Sequence, residues 1–199
     1  MKGRWHLVAA IVLGMLAAGS NARADKIAPR VEEPAYVLER TVEGLEIRRY
    51  AASVVAETDV EGTYSDSISD GFRRLAGYIF GGNAPAQQIA MTAPVGAAPH
   101  GGGQRWTITF TLPSALSLDK APQPVDKRVH LRALPERSVA ALRFGGRADD
   151  NTLRVRAREL ANVLARAGLR PAGEPQLAQY DPPWTPEARR RNELLVLLK

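Results

Sequence analysis

The stretch Ser65–Asn83, SDSISDGFRRLAGYIFGGN, decides how the rest of the chain is read. Ile68, Phe72, Leu75 and Ile79 recur at intervals of four, three and four, which places them on one face of a helix and predicts a helix over 65–80. Arg73 and Arg74 fall off that stripe. Ser67 followed by Asp70 has the form of a capping box with Asp in place of Glu. Gly81-Gly82-Asn83 supplies residues that tolerate positive φ at the other end. A helix with one apolar face needs a sheet to cover it, so the flanking segments must provide strands.

They do so on both sides. Tyr36–Thr41 and Leu45–Tyr50 alternate around Glu43-Gly44 as a hairpin, and Ser53–Val60 continues the strand pattern. After the helix come the apolar run Ile89–Val95 and a glycine-rich loop, Gly101–Gly103. A strand follows from Trp106 to Leu112, whose Trp106, Ile108 and Phe110 share a face that should be buried. A proline-rich connection leads to strands at Val129–Leu134 and Ser138–Phe144. A second helix carries Leu153, Ala157, Leu160 and Leu164 and stops at Gly168 and Pro171, and Leu194–Leu198 reads as a last strand. The order predicts an α+β domain: a curved, mostly antiparallel sheet or distorted barrel with two flanking helices, built as pseudo-duplicated strands-helix-strand halves.

The N-terminus reads as a separate segment. Lys2 and Arg4 precede an apolar run, Leu7–Ala18, and the small-residue pattern Ala22-Arg23-Ala24 follows, which is the form of a signal peptide over residues 1–24. The run is shorter than the roughly twenty residues that cross a bilayer. The expectation is therefore cleavage, a periplasmic or secreted protein, and no stable membrane insertion afterwards. A retained anchor is the alternative. Residues 25–34, polar with two prolines, read as a flexible leader, and residues 35–199 as one domain.

The chain of 199 residues carries a formal charge of +6; residues 1–24 hold Lys2, Arg4 and Arg23 and no acid, so their removal leaves +3. The arginines are scattered through every expected element, which argues against a nucleic-acid footprint. With no cysteine, thiolate catalysis and thiolate ligation are excluded. His100 and His130 stand alone, without the spacing of a metal set, so no metal site and no catalytic residue is assigned. The run Arg189-Arg190-Arg191-Asn192-Glu193 offers guanidinium groups to ligand carboxylates, or an internal ion pair through Glu193. Met91 is either a thioether ligand or core packing.

Five segments, taken together and in order, resemble the SOUL heme-binding protein family. They are Glu46-Ile47-Arg48-Arg49-Tyr50, the run Gly71–Asn83, Ile89–Val95, Tyr180-Asp181-Pro182-Pro183-Trp184 and Arg191-Asn192-Glu193. The resemblance implies a distorted antiparallel barrel with two helices. It also implies non-covalent binding of heme or another porphyrin in an apolar cleft beside the first helix, with Phe72, Leu75, Ala76 and Ile79 as positional candidates. Arg49 stands where some animal members carry a histidine proposed as axial ligand. Ser69, Gly77 and Thr185 stand where other members carry basic residues. Propionates would then be steered by Arg49, Arg73 or Arg190, and Met91 is the remaining candidate near iron. A carrier or buffer, favoured as a monomer, is the leading expectation. The alternatives are a heme-dependent enzyme with turnover or peroxidase-like activity, and a sensor that binds another flat ligand or a protein.

Overall fold

A computed structural model describes residues 31–199. The signal peptide expected at 1–24 and the first part of the leader lie outside the described residues. Nine strands and two helices follow one another: β1 Tyr36–Val42, β2 Leu45–Tyr50, β3 Ser53–Glu61, α1 Tyr64–Ile79, β4 Val95–His100, β5 Arg105–Thr111, β6 His130–Leu134, β7 Arg137–Phe144, α2 Asp150–Arg166, β8 Gln176–Gln179 and β9 Asn192–Leu197. They form one curled, wholly antiparallel sheet, a half-barrel, in the order β1-β2-β7-β9-β8-β4-β5-β3-β6.

That order contains the expected duplication. Matching β2, β3, β4 and β5 with β6, β7, β8 and β9 turns the series β2-β7-β9-β8-β4-β5-β3-β6 into its own reverse, with β1 as an extra edge strand. The halves also exchange strands: β2 pairs with β7 and β6 pairs with β3. They join at the middle through β4 and β8, where Gly96 lies opposite Ala178. These two strands were not expected from the sequence. Val-Gly-Ala-Ala-Pro-His has one β-branched residue, at its start, and Gln-Leu-Ala-Gln has none; neither has the run of β-branched and aromatic residues that announces a strand, and both exist because neighbouring strands offer them hydrogen bonds.

Both helices cover the same face. Leu75, Tyr78 and Ile79 of α1 join Leu160, Val163 and Leu164 of α2 in one core with Ile47, Ile108, Leu142 and Leu194 from the sheet. Each fully buried aliphatic side chain there contributes about 1.5–3 kcal/mol. The cap of α1 lies four residues before the one read from Ser67 and Asp70. Thr63 is the N-cap and accepts from the Asp66 N–H, while its hydroxyl donates to the Asp66 carboxylate. Ser67 is instead buried inside the helix. At Gly71 a Cβ would stand 2.3 Å from Ile108 Cγ1, so the missing side chain lets α1 lie close on β5. Of the leader, Glu32 accepts from the Ser114 N–H and Glu33 pairs with Arg191. Among the described residues no helix is long and apolar enough to cross a membrane.

Candidate functional site

A sheet can cover only one side of a helix, and α1 carries apolar residues on two. Leu75 and Ile79 turn inward and are essentially inaccessible. Phe72, Ala76 and Phe80 recur every fourth residue along the other side, where Phe72 is 42% and Phe80 65% exposed and Ala76 half-buried. At 1.5 Å per residue they span about 12 Å. Phe72 is held by an edge-to-face contact with Phe110 on β5, at 5.3 Å between centroids. The far end is fixed by Asn83, which donates to the carbonyls of Tyr78 and Gln87 and accepts from the Gln87 N–H. Val125, itself exposed, donates its N–H to Gly82 at the same helix end. The result is a rigid apolar strip facing water, a feature that marks a binding surface more often than an isolated exposed side chain does.

The charged candidates divide. Arg73 is exposed beside Phe72 and, among the described residues, pairs only with the exposed Asp70, at 2.8 Å. Arg74 is turned toward β3, donating to the Asp59 carbonyl. Arg49 is engaged by Glu39 and Glu136 on β2, at the opposite end of the sheet order from the strands under α1. Arg190 donates to the carbonyls of Thr185 and Pro183 and so pins the loop that exposes Trp184. Met91 is half-buried against the main core. The structure therefore gathers Phe72, Arg73 and Ala76 with Phe80, places Leu75 and Ile79 in the core, and holds Arg49 and Arg190 in other contacts. Phe80 was legible in the same four-residue spacing but stood at the expected helix end.

A second polar constellation lies on the helix-free face of the sheet. Arg48 reaches from β2 across β7 to Glu193 on β9, with Nη1 donating to Oε2 at 2.6 Å and Nη2 to Oε1 at 3.1 Å. Both side chains are at most 3% exposed. Tyr180 donates to Glu193 at 2.9 Å, Arg48 also donates to the Tyr50 hydroxyl, and Glu46 takes its Nε. Burial opposes the charge of Arg48, but the Glu193 carboxylate outweighs it and holds the guanidinium pKa above its usual value. Burial first, then the Glu193 charge, pushes the Tyr180 phenol up. The arrangement is a saturated structural network, since each charge already has its partners. The arginine run predicted an internal pair between Glu193 and one of its own arginines; the close partner is Arg48 on β2 instead, and Arg191 Nε stands at 3.8 Å. Among the described residues no group of three or more His, Cys, Asp or Glu side chains could hold a metal ion.

Comparison with known proteins adds a lineage to this geometry. A family model described as SOUL heme-binding protein matches residues 31–197. Heme-binding protein 2 of Mus musculus is 32% identical over 129 residues, and Heme-binding protein 2 of Homo sapiens 31% over the same length. Each match covers 62% of this chain and 62% of the relative, so the alignment spans less than two thirds of those proteins. Among solved structures, the C-terminal domain of EcmrR superposes with a TM-score of 0.62 at 10% identity, covering 78% of this chain and 96% of that domain. An uncharacterized conserved protein from Listeria innocua gives 0.52 at 12%, covering 88% and 97%. Both show a shared fold.

Proposed function

Because the chain belongs to the SOUL heme-binding protein family, we propose that it binds heme or a related porphyrin non-covalently, as a carrier or buffer, against the outer face of α1. The observation that carries this reading is the exposed strip Phe72-Ala76-Phe80, a flat apolar surface on a helix anchored at both ends. A porphyrin face removes such a surface from water, and enclosure of apolar area is what drives binding at sites of this kind. Arg73, paired with one exposed aspartate, is placed to meet a propionate. Arg49, at the position of the proposed axial histidine, is held by two glutamates, and Met91 packs on the core. These residues fit a macrocycle gripped by its face and not by its iron, so metal-free and iron porphyrin should bind alike. The reading includes export to the periplasm or medium, which rests on the pattern of residues 1–24.

The test is titration of the purified protein with hemin and with protoporphyrin IX, followed by absorbance and tryptophan fluorescence. One-to-one saturation with both is expected. The double variant Phe72→Ser/Phe80→Ser should bind both about tenfold more weakly or worse while still folding cooperatively, with a melting temperature lowered by the lost Phe72–Phe110 contact. Failure of the native protein to saturate with either porphyrin would sink the reading. Consumption of hemin with reductant or peroxide would instead identify a heme-dependent enzyme.

A further inference from the structure

The helix-free face holds a cavity of about 180 Å³ that the family resemblance does not use. It exists because the two strands at the centre of the sheet place their smallest residues opposite one another, Gly96 on β4 and Ala178 on β8. Ordinary strand side chains there would fill the hollow. Tyr50, Val139 and Leu195 wall it and form a small apolar cluster with Ala178. Arg137 lines it as well, half-buried, with its guanidinium 5.3 Å from the centroid of the Tyr50 ring.

Arg137 is the anomaly. It forms no ion pair among the described residues, and its Nη1 reaches only the carbonyls of Ala51 at 3.5 Å and Pro135 at 3.3 Å. Burial, and then the like charge of Arg132, work against its positive charge. A half-buried guanidinium without a carboxylate is costly unless something else supplies one. The other arginine on the lining, Arg132, pairs with Glu57, and the buried Arg48 nearby takes Glu193.

We propose that this hollow is a second binding site, for a small organic carboxylate whose apolar body lies on Gly96 and Ala178 and whose carboxylate accepts hydrogen bonds from Arg137. The volume sets the size. Pockets for drug-sized ligands start at about 300 Å³, so a tetrapyrrole does not fit and the occupant is on the scale of a single ring or a short branched chain. The charge sets the class. Arg132, also on the lining, is neutralised by Glu57, which leaves Arg137 as the lining guanidinium without a carboxylate and suits a monoanion; Glu174 on the lining disfavours a dianion or a phosphate. The site is independent of the α1 strip, which lies on the other face of the sheet.

The experiment is a titration of the isotope-labelled protein with benzoate, reading the amide resonances of Gly96 and Ala178, with benzamide as the neutral isostere. Saturable shifts with benzoate, at least tenfold weaker binding in Arg137→Met, partial recovery in Arg137→Lys and weaker binding of benzamide are expected. Ala178→Val keeps the arginine but fills the hollow, and should lose binding too; melting curves establish that each variant is folded. The proposal is overturned if the native protein shows no saturable shift with benzoate. It is equally overturned if folded Arg137→Met or Ala178→Val binds benzoate as tightly as the native protein, or if benzamide matches benzoate.

Discussion

Replacing Arg48 by Met separates what the buried ion pair does from what its surroundings do. The pair is bidentate, at 2.6 and 3.1 Å, and joins two strands that are not neighbours. The β7 residue lying between their registers on that face is Ala141, small enough for the side chains to pass over. Removal of Arg48 strands the Glu193 carboxylate, 2% exposed, with the Tyr180 hydroxyl at 2.9 Å and Arg191 Nε at 3.8 Å. Breaking one side of a buried pair costs about 3–5 kcal/mol, a large share of the roughly 5–15 kcal/mol that holds a domain together. At about 2–4 °C per kcal/mol for a chain of this size, a cost of about 3 kcal/mol lowers the melting temperature by roughly 6–12 °C. Glu193→Leu should fall at the lower end, since Arg48 keeps Glu46 at 2.8 Å. The double variant Arg48→Met/Glu193→Leu removes both charges and should recover much of the loss, because two apolar side chains of similar size avoid the desolvation cost. Urea unfolding of the four proteins gives the cycle. Single substitutions costing under about 1 kcal/mol, or a double variant as unstable as the sum of the singles, would refute the reasoning. The raised pKa of Arg48 means its contribution is complete everywhere below the ordinary arginine range, so these differences should be flat across neutral pH.

Three further outcomes are expected. Tyr50, Tyr64, Tyr78 and Tyr180 all have pKa values raised by burial above 10.0, so their share of stability is complete below pH 10 and lost as pH rises toward the folded values; alkaline titration should show phenolate absorbance appearing together with unfolding, and free titration of all tyrosines in the folded state would contradict it. Gly71→Ala should lower the urea midpoint, because a Cβ 2.3 Å from Ile108 costs about 1–3 kcal/mol by overpacking, more than the gain of under 1 kcal/mol in helix propensity; an unchanged or higher midpoint would show that α1 shifts freely on β5. Asn83→Ala leaves the carbonyls of Tyr78 and Gln87 without their donor and should cost about 1–3 kcal/mol by thermal unfolding, with a cost near zero meaning that the turn holds itself.

How much of this was legible depends on the residue. Trp106, Ile108 and Phe110 announce their buried face by alternation alone, and the structure buries all three. The inward stripe of α1 was equally plain in the positions of Leu75 and Ile79. Which side of α1 stays wet was not, because Phe72 belongs to the apolar stripe by spacing yet leans outward with Ala76 and Phe80 once β5 sets the helix's rotation. The candidates drawn from charge fared by their neighbours. Arg73 pairs with an exposed aspartate on its own helix, whereas Arg49 is held in part by Glu136, distant in sequence, and Arg190 by backbone carbonyls of its own loop, Thr185 and Pro183, which depend on the loop's shape and which no side-chain pattern reports. The pairing of Arg48 with Glu193 spans 145 residues, although the alternation Glu46-Arg48-Tyr50 already put those three side chains on one face.

The sequence by itself determined the two helices, seven of the nine strands, the duplicated order and the family, because each rests on periodicity or on short motifs read within a few residues. The tertiary structure alone decided the two strands at the sheet's centre, the exchange of strands between the halves, and the hollow beside Arg137. Gly96 and Ala178 carry no strand signal of their own; they lie in strands because β5, β9 and each other's strand offer hydrogen bonds, and their small size acquires meaning only when the register sets one opposite the other.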